Sequence, residues 1–225
     1  SHSSQLIFKQ LVLPITMSFS TYSNALLFVI SFTLVSQAAF KYFKKQKKEQ
    51  EVNEINEVIM FSQGTEELKR SKYSKCVITQ SMDRLMYYLN MPRHSLDICI
   101  YVFTNIDMIN TVLKLHFKGV KIRVIVDADM AFTSGSCVRR LEKQGIAIRW
   151  IKSTHIMHHK FCLVDVCEGA TSTPFLITGS LNWTLQALSG NWENVVITTQ
   201  KDLVRQYKDE FERLWTQFKP IVGHK

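Results

Sequence analysis

The sequence predicts an α/β protein in which a mixed β-sheet is flanked by helices on both faces. Apolar, β-prone segments alternate along the chain with segments whose apolar residues recur at helical spacing. Two of the helical segments stop at a glycine, Gly119 and Gly145, and glycine favours a helix C-terminus. Hydrophobic residues make up 46% of the 225 residues, so the chain can fill one sizeable core and is not disordered.

The first half of the predicted domain opens with a short apolar strand at 58–61, after an acidic and polar stretch. A polar loop follows over 64–75. Helical apolar spacing then predicts a helix at 81–90, and the apolar run at 96–103 predicts a buried strand. A second helix, at 107–117, ends at the first of the two glycines.

The second half continues the alternation and closes with an amphipathic helix. Short apolar runs rich in β-branched residues predict its strands. In chain order these elements are a strand at 121–126, a helix at 136–144, strands at 147–151, 160–164, 175–178 and 195–198, and a helix at 201–218.

The N-terminal region differs from the rest of the chain. No charged residue lies between Lys9 and Lys41, residues 25–40 are mostly apolar, and a lysine cluster follows at once. This length is close to the ~20 residues that a helix needs to span a bilayer, and a basic flank favours the cytosolic side. A cleavable signal peptide and a soluble amphipathic or core helix are the alternatives. The domain prediction is an anchor with a basic flank at 1–48, a linker at 49–57 and a catalytic domain at 58–221.

The most specific chemical signal is a motif of the form H-x-K-x(4)-D, formed by His158, Lys160 and Asp165, with Gly179-Ser180-Leu181-Asn182 downstream. A histidine can take a phosphoryl group covalently, a lysine can neutralise its oxygens, and Ser and Asn side chains can donate further hydrogen bonds. The combination indicates phosphoester chemistry. The alternative interpretation is a core histidine, a surface lysine and a turn aspartate that coincide by chance.

The predicted strands explain the spacing of this motif. Side chains alternate along a strand, so His158 and Lys160 share one face while His159 points to the other. The next strand delivers the serine and the asparagine of G-S-x-N at its end. Glu193 precedes a third strand, where it can hydrogen-bond an imidazole and fix its tautomer. The histidine and lysine are therefore expected to converge on a single phosphate.

These residues resemble the HKD signature of the phospholipase D superfamily. The wording His-His-Lys-Phe, Val-Asp, Ile-Thr-Gly-Ser-Leu-Asn-Trp-Thr and then Glu-Asn-Val is similar to the mitochondrial cardiolipin hydrolase branch, called Zucchini in insects. The similarity extends from about residue 58 to residue 221. The chain carries the motif once, whereas some members of the superfamily carry it twice.

The resemblance implies a mechanism that needs no metal or other cofactor. Two HKD motifs meet at one site, where one histidine attacks phosphorus and the other protonates the leaving oxygen and then activates water. His158 would be the nucleophile, its copy in a partner the acid and base, and Asp165 a local organiser. Glu193 would orient His158. The implied catalytic residues are His158, Lys160 and Asp165, and the implied phosphate-binding or supporting residues are Ser180, Asn182 and Glu193. A single motif per chain then implies a homodimer with an isologous interface.

Two further groups of residues are interpreted as structural. Asp127 and Asp129 end a strand, where acids more often bond loop amides than a metal. The five cysteines show no C-x-x-C pair and no zinc spacing, and Cys99 and Cys162 lie in apolar strands as expected for buried thiols. Vertebrate members of the family carry a small Cys/His zinc cluster near the position of Cys76, and the missing ligands argue against transferring it.

The net charge of +9 favours an anionic polymer or a membrane surface as partner. A polar hairpin is expected at 166–174, at the edge of the site. A basic rim is expected from Lys118, Lys121, Arg123, Arg139, Arg140, Lys143, Arg149 and Lys152. Single-stranded RNA requires a narrow basic groove, and cardiolipin requires an apolar pocket or a wide mouth.

Three functions stand at this point. The resemblance implies an endoribonuclease that cleaves single-stranded RNA in piRNA processing, anchored in the mitochondrial outer membrane with its catalytic domain facing the cytosol. The alternative is a phospholipase that hydrolyses cardiolipin to phosphatidic acid. A non-catalytic membrane scaffold is disfavoured by the intact His158, Lys160 and Asn182. RNA and lipid are poorly discriminated by the sequence because the phosphodiester chemistry is the same.

Overall fold

The computed structural model describes residues 19–50, 54–62 and 67–221. The chain forms two compact units that divide between Val52 and Asn53, and each is described by itself. Parts of three predicted segments lie outside the described residues. These parts are residues 1–18 of the anchor, 51–53 of the linker and 64–66 of the polar loop.

The N-terminal unit contains one long helix, α1 (Phe19–Gln50). Its segment Leu26–Lys44 has a mean hydropathy of 1.6, and large apolar side chains such as Phe28 and Val35 are exposed along it. This helix is long and apolar enough to cross a membrane, a property that a signal sequence shares. It continues through the predicted basic flank into the predicted linker, and the division into anchor, linker and catalytic domain stays a prediction.

The second unit is built on an eight-stranded mixed sheet, which confirms the predicted fold class. The strands of the unit are β1 (Asn56–Phe61), β2 (Leu68–Arg70), β3 (Val77–Thr79), β4 (Ser95–Ile100), β5 (Lys121–Asp127), β6 (Ala147–Ile151), β7 (Lys160–Val164), β8 (Phe175–Gly179), β9 (Glu193–Thr198) and β10 (Lys219–Pro220). The large sheet has the order β1-β9-β8-β7-β4-β5-β6-β10, and β2 pairs with β3 in a separate hairpin. β4, β5 and β6 are parallel, and the other neighbours in the large sheet are antiparallel.

Helices cover both faces of this sheet, as predicted. They are α2 (Gln80–Leu89), α3 (Ile106–Phe117), α4 (Ala128–Ala131), α5 (Val138–Lys143), α6 (Leu185–Ser189) and α7 (Lys201–Gln217). On one face, Leu85 of α2 and Met108 of α3 belong to the same buried cluster as Ile98 of β4. On the other face, Phe211 of α7 packs with Phe161 of β7. Each large apolar side chain buried in this way contributes about 1.5–3 kcal/mol to stability.

The predicted and observed elements differ in three places. The hairpin β2–β3 occupies part of the predicted polar loop. The sequence did not predict it, because its short strands are largely exposed and lack apolar alternation. β4 ends at Ile100 rather than at residue 103, since Phe103 leaves the strand and bridges to Trp183. The hairpin predicted at 166–174 is wrong, because this segment forms turns and bends without paired strands.

One end of the sheet collects the ends of the motif strands. The register places Ile100 of β4 opposite Lys160 of β7, and Gly179 of β8 opposite Val195 of β9. Because neighbouring antiparallel strands start where their partners stop, this end is formed by the C-terminal ends of β1, β4, β5 and β8 and the N-terminal ends of β7 and β9. We call it the motif end of the sheet.

Candidate active site

His158 and Lys160 lie together at the motif end. The Nζ atom of Lys160 is 3.2 Å from both ring nitrogens of His158, and it donates to the His158 carbonyl oxygen at 2.9 Å. Burial lowers the pKa of Lys160, while the negative charge of Glu193 opposes that change. The His158 side chain is exposed, so the site presents an imidazole beside an ammonium group.

His159 lies on the opposite face, as strand alternation predicts. Its Nε2 atom is 3.4 Å from Oε1 of Glu210 in α7, and its ring packs edge-on against Phe161. His159 is therefore part of the contact between β7 and α7. The two adjacent histidines occupy different environments, and the one beside Lys160 is His158.

Tyr101 is a residue of the site that sequence reasoning missed. It follows β4 directly, and its ring centroid is 4.6 Å from that of His158. The Nζ atom of Lys160 lies 5.4 Å from the same ring. Its position at the C-terminal end of a parallel strand was the available signal, because functional groups gather there in α/β proteins.

Ser180 and Glu193 are joined across the ends of β8 and β9. The Ser180 hydroxyl donates a short hydrogen bond to Oε2 of Glu193 and accepts the N–H of Asn194 at 3.1 Å. Oε1 of Glu193 accepts from the Asn191 amide at 2.9 Å. Among the described residues, the carboxylate bonds Ser180 and Asn191 and makes no hydrogen bond to His158. The orientation of His158 by Glu193 stays a prediction.

Asn182 brings an unsatisfied polar atom to the same region. Its Oδ1 atom is buried and has no hydrogen-bond partner in the part of the chain that the structure describes. Buried side-chain polar atoms usually have partners, so the exceptions require an explanation. Since the two ends of an amide are assigned from their partners, a rotated side chain would present its NH₂ donor at this position.

Gly179 lies where there is no room for a side chain. Its φ angle lies outside the left-handed region, but a Cβ atom there would lie 2.0 Å from the Asn194 carbonyl oxygen and 2.9 Å from the Val195 Cα atom. The glycine therefore allows β8 and β9 to approach each other where Ser180 and Glu193 meet. This is the physical reason for the glycine in G-S-x-N.

Asp165 was predicted to belong to the site, but the structure places it elsewhere. It follows β7 at the far end, ~16 Å along the strand from Lys160 at about 3.3 Å per residue. Its carboxylate accepts the backbone N–H groups of Arg93, His94 and Ser95, which fixes the loop between α2 and β4. The structure does not bring Asp165 together with His158. The segment 166–174 follows it and also lies away from the motif end.

Asp127 confirms the structural interpretation of the strand-end acids. Its Oδ1 atom caps α4 by accepting the N–H of Asp129 at 3.0 Å. Its Oδ2 atom accepts the N–H of Met157 at 2.9 Å, which fixes the backbone next to His158. Within the described ranges, no three His, Cys, Asp or Glu side chains are grouped to hold a metal ion.

Some residues of the predicted basic rim are paired with other groups or lie far from His158. Arg123 donates to Asp97 and Glu212, which lowers the pKa of Glu212, and Arg149 donates to the Trp215 carbonyl oxygen. Lys121 begins β5 and lies at the opposite end of the sheet. These members of the rim are therefore not placed to bind a phosphate at His158.

The predicted buried thiols are confirmed. Cys99 and Cys162 lie within β4 and β7, and burial raises the pKa of both thiols above the usual range. Neither thiol is therefore ready to ionise at neutral pH. Cys76 is exposed on the hairpin β2–β3.

This fold and motif match known proteins. A family model described as "Cardiolipin synthase, PLD-like domain" matches residues 85–215, more than half of the chain. The chain belongs to the phospholipase D-like family. Two solved structures agree with this assignment at the level of the fold. Nuc from Salmonella typhimurium, a phospholipase D family member, has a TM-score of 0.60 at 19% identity over 75% of this chain and all of its own. NucT from Helicobacter pylori has a TM-score of 0.58 at 18% identity over 74% of this chain and all of its own.

Curated relatives are similar over the same region. The protein named mitochondrial cardiolipin hydrolase is 43% identical in Danio rerio, 42% in Homo sapiens and 33% in Drosophila melanogaster. These matches cover 64%, 62% and 65% of this chain and 60%, 53% and 60% of those proteins. The phospholipase D-like chain thus spans less than two thirds of the length of these relatives. The resemblance to this branch is confirmed, and the activity of the whole protein is a proposal.

Proposed function

We propose that this phospholipase D-like chain is a metal-independent phosphodiesterase, which acts as a homodimer through a phosphohistidine and cleaves single-stranded RNA in piRNA processing. The observation that carries the proposal is the His158–Lys160 pair, with Ser180 and Asn182 on a neighbouring strand end. The family membership supports the phosphodiester class of substrate.

The proposed reaction consists of two successive displacements at phosphorus. An imidazole nitrogen of His158 forms a bond to phosphorus, and the bond to the leaving oxygen breaks as His158 of the partner subunit gives that oxygen a proton. The partner's His158 then takes a proton from water, the water oxygen bonds to phosphorus, and the P–N bond breaks. Lys160 stabilises the charge on the non-bridging oxygens in both steps.

Exposed apolar residues around the motif end support the dimer. Trp192, just before β9, is 75% exposed. Leu185, the first residue of α6, is 69% exposed, and Ile156, two residues before His158, is 59% exposed. Isolated apolar residues on a surface are ordinary, but several around one site indicate an interface. A second copy that covers this end would bring its own His158 to the first, because a twofold interface uses the same patch on both subunits.

RNA is favoured over lipid by charge. The net charge is +9, and an anionic polymer offers many phosphates to basic side chains. Cardiolipin hydrolysis is the second candidate, since the curated relatives carry that name. A groove of about 480 Å³ on the His159 and α7 side of His158 has an apolar floor of Met157, Leu214 and Phe218, which suits an acyl chain.

The proposed location is the mitochondrial outer membrane, with the catalytic domain facing the cytosol. α1 is apolar over Leu26–Lys44, and the lysine cluster at its end favours retention on the cytosolic side. The word mitochondrial in the names of the relatives supports the organelle.

A paired assay of the full chain in EDTA tests the proposed function. Single-stranded RNA and cardiolipin vesicles are offered separately, and products are resolved by gel and by lipid chromatography. Cleavage of RNA without lipid turnover is the expected result. Lipid turnover without RNA cleavage would establish the second candidate instead, and activity that returns only with added metal would overturn the metal-independent mechanism.

Tyr101 is expected to act as a positioning residue for His158. The face of its ring carries negative charge density and stabilises a cationic imidazole by about 0.5–2 kcal/mol. Tyr101→Ala is expected to lower kcat about 3- to 30-fold with KM within about twofold, because the His158 ring gains positive charge as it bonds phosphorus and loses a favourable contact. Tyr101→Phe keeps the ring and is the matched control, expected to retain kcat. An unchanged kcat in Tyr101→Ala would reduce the ring to a packing role.

A further inference from the structure

A large cavity lies beside β1, outside the His158 cluster. It has a volume of about 1170 Å³ and runs between β1, α2 and the hairpin β2–β3. We call it the β1 groove. β1 is the last strand of the large sheet on this side, so one wall of the groove is an open strand edge.

The β1 groove begins at the motif end of the sheet. Phe61, the last residue of β1, pairs with Glu193 of β9, and Glu193 bonds Ser180. The lining extends back along the strand from Met60 to Glu57, a distance of ~10 Å at about 3.4 Å per residue. A polymer bound at His158 that leaves past Ser180 therefore has this groove directly ahead.

Charge pairing within the groove leaves a cationic wall. Glu57 pairs with Arg84 at 2.6 Å, and Asp83 pairs with Lys69 at 2.6 Å. Arg70 and Lys72 of the hairpin segment also line the groove, and neither lies within ion-pair distance of a described acid, although Lys72 attracts Asp83 from further away. They outnumber the one remaining acid of the lining, Glu67. The segment 68–79 has four basic residues and no acidic one.

Two tyrosines line the same groove. Tyr87 is 42% exposed, with the Arg84 guanidinium 5.1 Å from its ring centroid. Tyr73 is half-buried, with Lys72 Nζ 5.0 Å from its ring. Aromatic rings beside basic side chains in a groove are the elements that hold a single strand, because bases stack on the rings and phosphates pair with the cations.

We propose that the β1 groove binds the single-stranded RNA on one side of the scissile phosphate. Arg70 and Lys72 contact phosphates, and Tyr73 and Tyr87 stack bases. This inference rests on the proposed ribonuclease function. It assigns to the hairpin a part in holding the substrate, separate from the chemistry at His158.

The test separates strand binding from chemistry. Arg70→Glu with Lys72→Glu is compared with Lys118→Glu with Lys121→Glu, which makes the same change in net charge on exposed residues at the opposite end of the sheet. Full-length chains with the additional change His158→Ala are titrated against a labelled RNA of about 20 nucleotides at several salt concentrations. The groove pair is expected to raise the Kd for RNA at least about tenfold more than the control pair does. It is also expected to reduce the slope of log Kd against the logarithm of the salt concentration by about 1.4.

Hydrolysis of bis(p-nitrophenyl) phosphate is the second readout, in chains that keep His158. This diester is too short to reach the groove, so both charge-reversal pairs are expected to retain its hydrolysis. Equal changes in the Kd for RNA in the two charge-reversal pairs would overturn the groove assignment. A milder groove variant, Arg70→Gln with Lys72→Gln, is assayed beside the charge-reversed groove variant. Loss of small-diester hydrolysis in both groove variants would also overturn the assignment. Failure of the unaltered chain to cut either substrate would instead overturn the proposed function.

Discussion

His158→Ala is expected to lower kcat/KM for phosphodiester cleavage at least about 10³-fold, because the variant lacks both the nucleophile and its copy across the dimer. The matched control is His159→Ala. It removes the same side chain one residue away, but from the opposite face, where His159 contacts Glu210 at the surface. The control is expected to stay within about threefold of the unaltered chain, since exposed ion pairs contribute little. Equal losses in the two variants would contradict the assignment of the nucleophile.

Mixed dimers give this prediction a sharper form. When equal amounts of unaltered and His158→Ala chains exchange subunits, about a quarter of the dimers retain both histidines. The mixture is therefore expected to show about a quarter of the activity of the same total amount of unaltered chain. A chain that completes its own site would retain about half. Activity near half, with subunit exchange verified by differently tagged chains, would contradict the shared site.

The placement of His158 was predictable because strand alternation is a local rule. A single apolar run fixed the directions of His158, His159 and Lys160, and no information from elsewhere in the chain was needed. Asp165 shows the limit of the same reasoning. Its spacing from Lys160 equals the length of β7, so it lies at the other end of the strand and bonds a distant loop.

The remaining features depend on contacts between residues far apart in sequence. The bond between Ser180 and Glu193 follows from the register of β8 against β9. Tyr101 reaches His158 because β4 lies beside β7. Neither of these contacts is encoded in a local pattern. The β2–β3 hairpin is local in sequence, but its strands are short and mostly exposed and therefore show no apolar period.

Gly179→Ala is expected to damage both stability and activity. In most strand positions alanine is the more favourable residue by about 0.5–1 kcal/mol. At Gly179 the added Cβ would lie 2.0 Å from the Asn194 carbonyl oxygen, and backbone rather than a flexible side chain must move. Overpacking of this kind costs about 1–3 kcal/mol, and each kcal/mol lowers Tm by about 2–4 °C in a chain of this size. Thermal unfolding monitored by circular dichroism measures the loss.

The loss of activity is expected to exceed what unfolding explains. Separation of β8 from β9 moves Ser180 away from Glu193, and a displacement of about 1 Å at a catalytic group costs about 10²-fold in rate. Gly119→Ala is the control, because its φ of +88° strains an alanine just after α3, at the opposite end of the sheet from Ser180. Assays well below both melting temperatures separate the two effects. A Gly179→Ala chain that is less stable but fully active would show that the close approach of β8 and β9 serves the fold alone.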